Sequence, residues 1–426
     1  MADLTTKDNG SACQTKYPAL RRLEIRAAFL FANFFLIIMT LYHLKPARSS
    51  LFIEAFGASH LPYVWIGTAL TMVTIITWYH RLVERYNRFH VVLGTLVTFA
   101  AILVVFRILF MEVTGAVAVG FYIFVDILGV VLVEQFWSLT NSIYSTEEGK
   151  RWYGLVGTGG LMGGVVGSGA GALLLKKTAL ETTDLLLVAA GILTFIYALT
   201  WIMGYLGIYC ELDSAEKPAA EAVGWRALTR SRYLILIAAI MLLAQLASPV
   251  IEFQFMKTVE SSYTELEGRT AFLSMFFSLL GFISIPINLV ITPLIHRLFG
   301  VIAGLMVQPL AMGFFSFGFL LNPSILMGSA TKISDRGLSY SINRASKELL
   351  YVPVNPVVIF QAKAWIDMFG YRLFKVLSSF LILLLTQWLP VKLGVSELSW
   401  LTMGICALWI GVVLALRSDY RLFPHH

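Results

Sequence analysis

Charge is scarce in this 426-residue chain. Only 13% of its residues are Asp, Glu, Lys or Arg, 58% are hydrophobic, and the mean hydropathy is +0.77. Soluble globular domains carry about 25% charged residues, so a soluble enzyme is excluded. Cysteine is also sparse. Cys13, Cys210 and Cys406 are too few and too scattered for a disulfide framework, and no CxxC pair suggests a metal or redox site. The first twenty residues include Lys7 and Lys16 and lack the apolar core of a cleavable signal peptide. There is no Walker A motif and no HExxH pattern, which speaks against ATP-driven pumping and metalloprotease chemistry. The seven histidines form no ligand-spaced cluster. No metal, no cofactor and no enzymatic activity are therefore expected. The net charge of +7 is modest and fits basic cytoplasmic loops better than nucleic-acid binding, so no nucleic-acid partner is expected.

What the chain has is long apolar runs. They lie at 27–44, 61–79, 91–110, 116–140, 154–175 and 185–209, and again at 234–255, 271–294, 301–321, 325–349, 364–389 and 398–416. A membrane helix needs roughly 20 apolar residues, so these twelve runs predict an all-α polytopic membrane protein. Between the two sets lies the longest charged segment, 210–232, with Glu211, Asp213, Glu216, Lys217, Glu221, Arg226, Arg230 and Arg232. The expected organisation is an N-terminal six-helix half (1–209), a cytoplasmic linker (210–232) and a C-terminal six-helix half (233–426). Alternate loops divide the cations about 19 against 7, which by the positive-inside rule places both termini and the linker in the cytoplasm. Two six-helix halves joined this way describe the twelve-helix, major-facilitator-like 6+6 arrangement. A bacterial inner membrane is the expected location, with the lipid bilayer as its surroundings and a monomer as its state.

Each charge inside such a membrane needs a partner or a watery cavity, since it costs about 2.5–3.5 kcal/mol at a helix centre. Counting along the helices at 1.5 Å per residue, Asp126 falls near the midplane of the fourth run and Lys375 near that of the eleventh. Lys332 and Arg336 fall in the middle of the tenth. Lys45 and Arg48 flank Pro46 at the outer end of the first, and Glu252 sits at the outer end of the seventh. In the tenth run, Lys332, Arg336, Tyr340, Asn343 or Arg344, and Lys347 recur on one face. Such a cationic stripe fits an anion that visits it, or else simply lines a water-filled crevice or pairs with Asp126 and Asp367. Asp335 offsets part of it.

The fifth run holds nine glycines between Gly154 and Gly171, a pattern of close helix packing or, less naturally, of a phosphate contact. The segment 80–88 alternates charges (Arg81, Glu84, Arg85, Arg88). It fits either the basic motif that facilitators often keep after the second helix or plain positive-inside charge.

Two stretches go beyond architecture. EQFWSLTN at 134–141, followed by TEEGKRWY at 146–153 and the glycine helix, resembles the nucleotide transporter (ATP:ADP antiporter) family of plastids and intracellular bacteria. So does KELLYVP at 347–353, followed by AKAWID at 362–367 and Lys375. The resemblance implies a major-facilitator-like secondary transporter that exchanges a nucleotide such as ATP or ADP. Four charged positions implicated in transport in that family correspond by register to Arg48, Asp126, Glu252 and Lys375. The signs are kept, but arginine replaces lysine and aspartate replaces glutamate at the first two, and a planar bidentate donor is not a point charge.

The expectation is thus an antiporter for a nucleotide or related anion working by alternating access. Lys375, Lys332, Arg336, Arg48 and Lys45 bind cargo in this reading, and Asp126, Glu252, Asp335 and Arg372 serve coupling or gating. Asp126 is a counter-charge to a nearby lysine or, if it stands alone, a proton carrier. Arg48 and Glu252, at equivalent positions of the two halves, are expected to close the outer face as a pair or to touch cargo. The competing readings are a facilitator for a carboxylate metabolite or siderophore, coupled to protons through Asp126 or Glu252, and a non-transporting sensor or scaffold. The midplane charges argue against the last.

Overall fold

The computed structural model describes residues 23–112, 114–144, 146–207, 231–351 and 370–420. Asp367, Lys363 and most of the charged segment after 209 lie outside the described residues. Within them the chain is helical, with no strand. The helices are α1 (Leu23–Phe56), α2 (Leu61–Arg85), α3 (Arg88–Leu109), α4 (Gly115–Ile143), α5 (Thr146–Lys177), α6 (Leu185–Tyr205), α7 (Arg232–Ser262), α8 (Leu266–Pro286), α9 (Thr292–Leu321), α10 (Ile325–Leu338), α11 (Arg344–Tyr351), α12 (Tyr371–Leu383) and α13 (Ser399–Tyr420). Nine helical stretches among the described residues are long and apolar enough to cross a membrane.

One of the nine, Leu266–Leu321, is 56 residues long. A straight helix of that length would run about 84 Å, far beyond the roughly 30 Å hydrocarbon core. A π-turn at Ile287–Ile291 carries α8 into α9 without a break, and the chain reverses at Gly300, where φ is 81°. Only glycine adopts that conformation freely, so two crossings meet at this residue. The tenth run is α10 and α11 joined by a π-turn at Ser339–Asn343. The eleventh is described from residue 370 onward and ends in a π-turn at Leu384–Trp388.

The first helix is longer than its apolar run. Hydropathy falls at Lys45–Arg48, yet α1 continues to Phe56 with Pro46 inside it. Proline cannot donate to the carbonyl four residues back, here that of Tyr42, and the Ser168 hydroxyl of α5 donates to that carbonyl instead at 3.2 Å. In the other half α7 runs through Pro249 to Ser262. Each of these long helices therefore carries a proline shortly before a charged residue, Arg48 in one and Glu252 in the other.

Three buried cores hold the bundle. One is formed by residues between Leu30 and Met203, a second by residues between Tyr233 and Leu416. The third joins the two around Phe52, Trp65, Tyr122, Phe255 and Phe277. The glycine helix α5 lies between α1 and α8. A Cβ on Gly163 would lie 2.2 Å from the Phe35 carbonyl oxygen, and one on Gly167 2.3 Å from that of Met39. These glycines are what permit backbone-to-backbone packing.

The end bearing the α1–α2 and α7–α8 turns is termed the upper end here, and the end where α1 begins the lower end. The upper end is tied across the two cores. The Arg269 guanidinium meets Glu54 at 3.1 Å and donates to the carbonyls of Ser50, Tyr263 and Thr264. Glu260 accepts from the Ala58 amide at 3.0 Å, and the Gln387 amide donates to the Ser59 carbonyl while its oxygen accepts from Tyr63.

Candidate functional site

Below that latch is a chamber of about 250 Å³, walled by both groups of helices. From α1 come Lys45 and Arg48, from α4 Tyr122 and Asp126, from α7 Gln245, Ser248 and Glu252, from α10 Arg336 and from α12 Lys375. Arg48 and Glu252 are not at the helix ends, as their apolar runs imply. Because α1 and α7 extend beyond those runs, the two residues lie about 12 and 15 Å down from the upper ends of their helices. That depth brings them level with the midplane charges.

The charges pair, but in a different order from the one expected. Arg48 is ion-paired with Asp126, and its guanidinium lies 4.2 Å from the centre of the Tyr122 ring. The Tyr122 hydroxyl in turn accepts from the Trp65 indole at 2.9 Å. Glu252 is ion-paired with Lys332. In place of the expected Arg48–Glu252 pair there is one pair between α1 and α4 and another between α7 and α10, because the faces of α1 and α7 that carry these residues turn to α4 and α10.

Lys332 is not a wall of the chamber. Its side chain is 1% exposed and lies beneath Glu252, with the Asp335 carboxylate at 3.0 Å on its other side. Asp335 also accepts from the Ser248 hydroxyl at 2.8 Å and faces the Arg336 Nε at 3.5 Å. This sealed lysine has no room for a ligand. Arg372 lines neither this chamber nor the cavity below it.

Lys45 and Lys375 have no carboxylate within ion-pair distance among the described residues. Lys45 lies 5.3 Å from the Tyr42 ring centre and 4.9 Å from that of Phe277, a cation–π arrangement. Among the described residues the cluster holds five cations (Lys45, Arg48, Lys332, Arg336, Lys375) and three carboxylates (Asp126, Glu252, Asp335). The excess of two positive charges faces a polar chamber inside a membrane, an arrangement that binding of an anion stabilises.

A second cavity of about 430 Å³ shares Gln245 and Arg336 with the chamber and leads toward the lower end past Tyr340, Arg344, Lys347 and Tyr371. Arg336, Tyr340, Arg344 and Lys347 form the stripe foreseen in the tenth run. Asn343 turns away from it, fully buried against Gln308.

A family model described as TLC ATP/ADP transporter matches residues 116–420 of the chain. The chain belongs to the TLC ATP/ADP transporter family. Among curated relatives of this family member, "ADP,ATP carrier protein 4" of Rickettsia conorii is 25% identical over 354 residues, covering 71% of this chain and 68% of the relative. "ADP,ATP carrier protein 1" of Chlamydia muridarum is 22% identical over 463 residues, covering 88% and 86%. Among solved structures, the nucleoside transporter NupG matches with a TM-score of 0.61 at 13% identity, covering 92% of this chain and 98% of its own. The POT family transporter PepTSo matches with a TM-score of 0.65 at 12% identity, covering 94% and 99%. These structural matches establish the fold of this TLC family member, a major-facilitator-like helical membrane bundle.

The charge-and-depth argument misses Trp65, Tyr122, Gln245 and Ser248, which also line the chamber. Neutral residues in an apolar helix carry no depth signal. Ser248 and Pro249 stand next to each other just before Glu252, as Lys45 and Pro46 stand before Arg48, and that local echo between α1 and α7 is the one clue the sequence offers.

Proposed function

We propose that this chain is an antiporter that exchanges nucleotides such as ATP and ADP by alternating access. In this reading two six-helix halves, 1–209 and 233–426, are joined by a cytoplasmic linker at 210–232. The monomer sits in a bacterial inner membrane with both termini in the cytoplasm. The observation that carries the proposal is the chamber's excess of two positive charges, held by both groups of helices and open toward one end. A polyphosphate supplies the matching negative charge, and charge-assisted hydrogen bonds from Arg336, Lys45 and Lys375 supply the specificity. The relatives named ADP,ATP carriers supply the choice of nucleotide.

Arg48–Asp126 and Glu252–Lys332 are the counter-charge pairs of the site. Arriving phosphate competes with Asp126 for Arg48 and repels the Glu252 carboxylate in the chamber wall, which makes the resting pairs weaker when cargo is bound. With the upper end latched and the lower cavity adjoining the chamber at Gln245 and Arg336, the conformation is read as the inward-facing one.

The test is uptake of labelled ADP into proteoliposomes preloaded with ATP, ADP, citrate or buffer. Uptake that requires internal nucleotide and ignores a pH gradient is the expected result. Uptake into empty vesicles driven by a pH gradient would replace exchange by proton-coupled transport of an organic anion through Asp126 or Glu252.

A further inference from the structure

A third cavity, of about 380 Å³, lies away from the charged chamber, between α2, α3 and α4. Consecutive helices α2 and α3 are joined by the short turn at Tyr86 and Asn87, yet they leave a groove between them. Its walls are almost wholly apolar, with Trp78, Tyr86, His90, Thr98 and Ile127 among them. Gly94 stands in the α3 wall, and a Cβ placed there would meet no atom within 4 Å. The missing side chain is therefore part of the groove.

Three arginines stand near the α2–α3 junction that bounds the groove at one end, outside its lining residues. Arg81 and Arg85 close α2, and Arg88 opens α3. Arg81 and Arg85 are exposed, and among the described residues none of the three has a carboxylate within ion-pair distance. Trp78 and Tyr86, 61% and 62% exposed, sit at this same end, where amphipathic rings mark the level of lipid headgroups. The nucleotide of the proposed transport cycle does not fit such a place, because its polar ribose and phosphates would find no partners along the walls.

We propose that the α2–α3–α4 groove binds an anionic phospholipid. Its acyl chain lies along Gly94 and Ile127, and its phosphodiester headgroup meets Arg81, Arg85 and Arg88. Apolar walls with cations near one end complement an amphiphile with a negative head. This inference is independent of which cargo the chamber carries.

The test uses the full-length protein in detergent, offered equal amounts of phosphatidylglycerol and phosphatidylcholine of identical acyl chains and read by native mass spectrometry. The wild type retains phosphatidylglycerol in preference by a factor on the order of a hundred, the gain that three basic residues at a membrane surface provide. Arg81→Gln with Arg85→Gln and Arg88→Gln brings the two lipids to equal retention. Gly94→Leu, whose Cβ meets no atom within 4 Å, projects into the groove and removes retention of both, while a monodisperse elution profile and an unchanged melting temperature report an intact fold. Equal retention of the two lipids by the wild type would overturn the proposal, as would undiminished phosphatidylglycerol on Gly94→Leu. A concentration-dependent dimer that Gly94→Leu abolishes would assign the groove to a second copy of the chain instead, and would overturn it too.

Discussion

Replacing Lys332 by methionine keeps the length of a side chain that is 1% exposed but takes away the cation between Glu252 and Asp335. The two carboxylates are not left in equal trouble. Asp335 keeps the Ser248 hydroxyl at 2.8 Å and the Arg336 Nε at 3.5 Å, whereas Glu252 loses the one ion pair it has among the described residues. Breaking a buried ion pair by deleting one partner costs about 3–5 kcal/mol. Glu252 has a side chain 19% exposed to the chamber, so the lower end of that range, about 3 kcal/mol, is the expected loss.

Neutralising the stranded acid should return most of that loss. The double variant Lys332→Met with Glu252→Gln is expected to recover about 2 kcal/mol, read as a coupling energy in a double-mutant cycle. Cys406 provides the assay, because it is buried and reacts with a thiol dye only when the bundle opens. With Cys13 and Cys210 changed to serine it becomes the sole reporter, since the chain has three cysteines. Labelling against temperature should show Lys332→Met several degrees below the parent and the double variant most of the way back. A coupling energy under about 0.5 kcal/mol would refute the assignment of Lys332 as the structural counter-ion of Glu252 and return it to the cargo-binding role that its place in the cationic stripe implies.

Three further outcomes follow from the geometry. Lys375→Gln should abolish nucleotide uptake in proteoliposomes while leaving the melting temperature within about 1 °C, because Lys375 faces the chamber without an ion-paired carboxylate to strand; a clear loss of stability would contradict this. Gly163→Val should destabilise by about 3 kcal/mol or more, since the clash is with backbone of α1. Gly157→Ala on the same helix meets open space and should be neutral or slightly stabilising, and melting curves of the two variants check both statements. Arg269→Gln should weaken the upper latch by about 2 kcal/mol, a roughly 30-fold shift toward states open at that end. A cysteine placed at Gln245 should then label faster with an impermeant thiol reagent from the upper side, and an unchanged rate would show that Arg269 does not hold the latch.

The helices were legible because hydrophobic runs report length and depth directly, and the chamber's charges were legible because each is expensive where it stands. Six of the nine residues singled out by depth and resemblance, Lys45, Arg48, Asp126, Glu252, Arg336 and Lys375, line the chamber. Partner choice was not legible. Depth gives a position along the membrane normal and nothing about which way a helix is turned, so Arg48 could be matched with Glu252 on height alone although it faces Asp126. Lys332 and Arg336 show the same limit, being one turn apart on one helix, the first sealed under the chamber floor and the second in its wall. Nor did hydropathy find the true ends of α1 and α7, because it falls at a charged residue whether or not the helix stops there. The break between the runs 271–294 and 301–321 was legible, but that it turns on Gly300, with its φ of 81°, was not.

The glycine helix α5 has two unlike faces. Against α1 it meets bare backbone, at Phe31, Phe35 and Met39. Against α8 the nearest atoms to Gly169 and Gly171 include serine hydroxyls, of Ser278 and Ser274, and Ser278 donates to the Val165 carbonyl. The first face is a weld, since helices in backbone contact cannot slide without collision. The second is a bearing: ordinary helix pairs interlock through ridges of side chains, and a surface of glycine and serine offers few ridges to lift over. A small hydroxyl can trade one carbonyl for the next as the helices move. On the proposed alternating-access cycle, this helix would stay with α1 and offer α8 a smooth track, which leaves the charged pairs and the latch, rather than the seam itself, to resist the rocking.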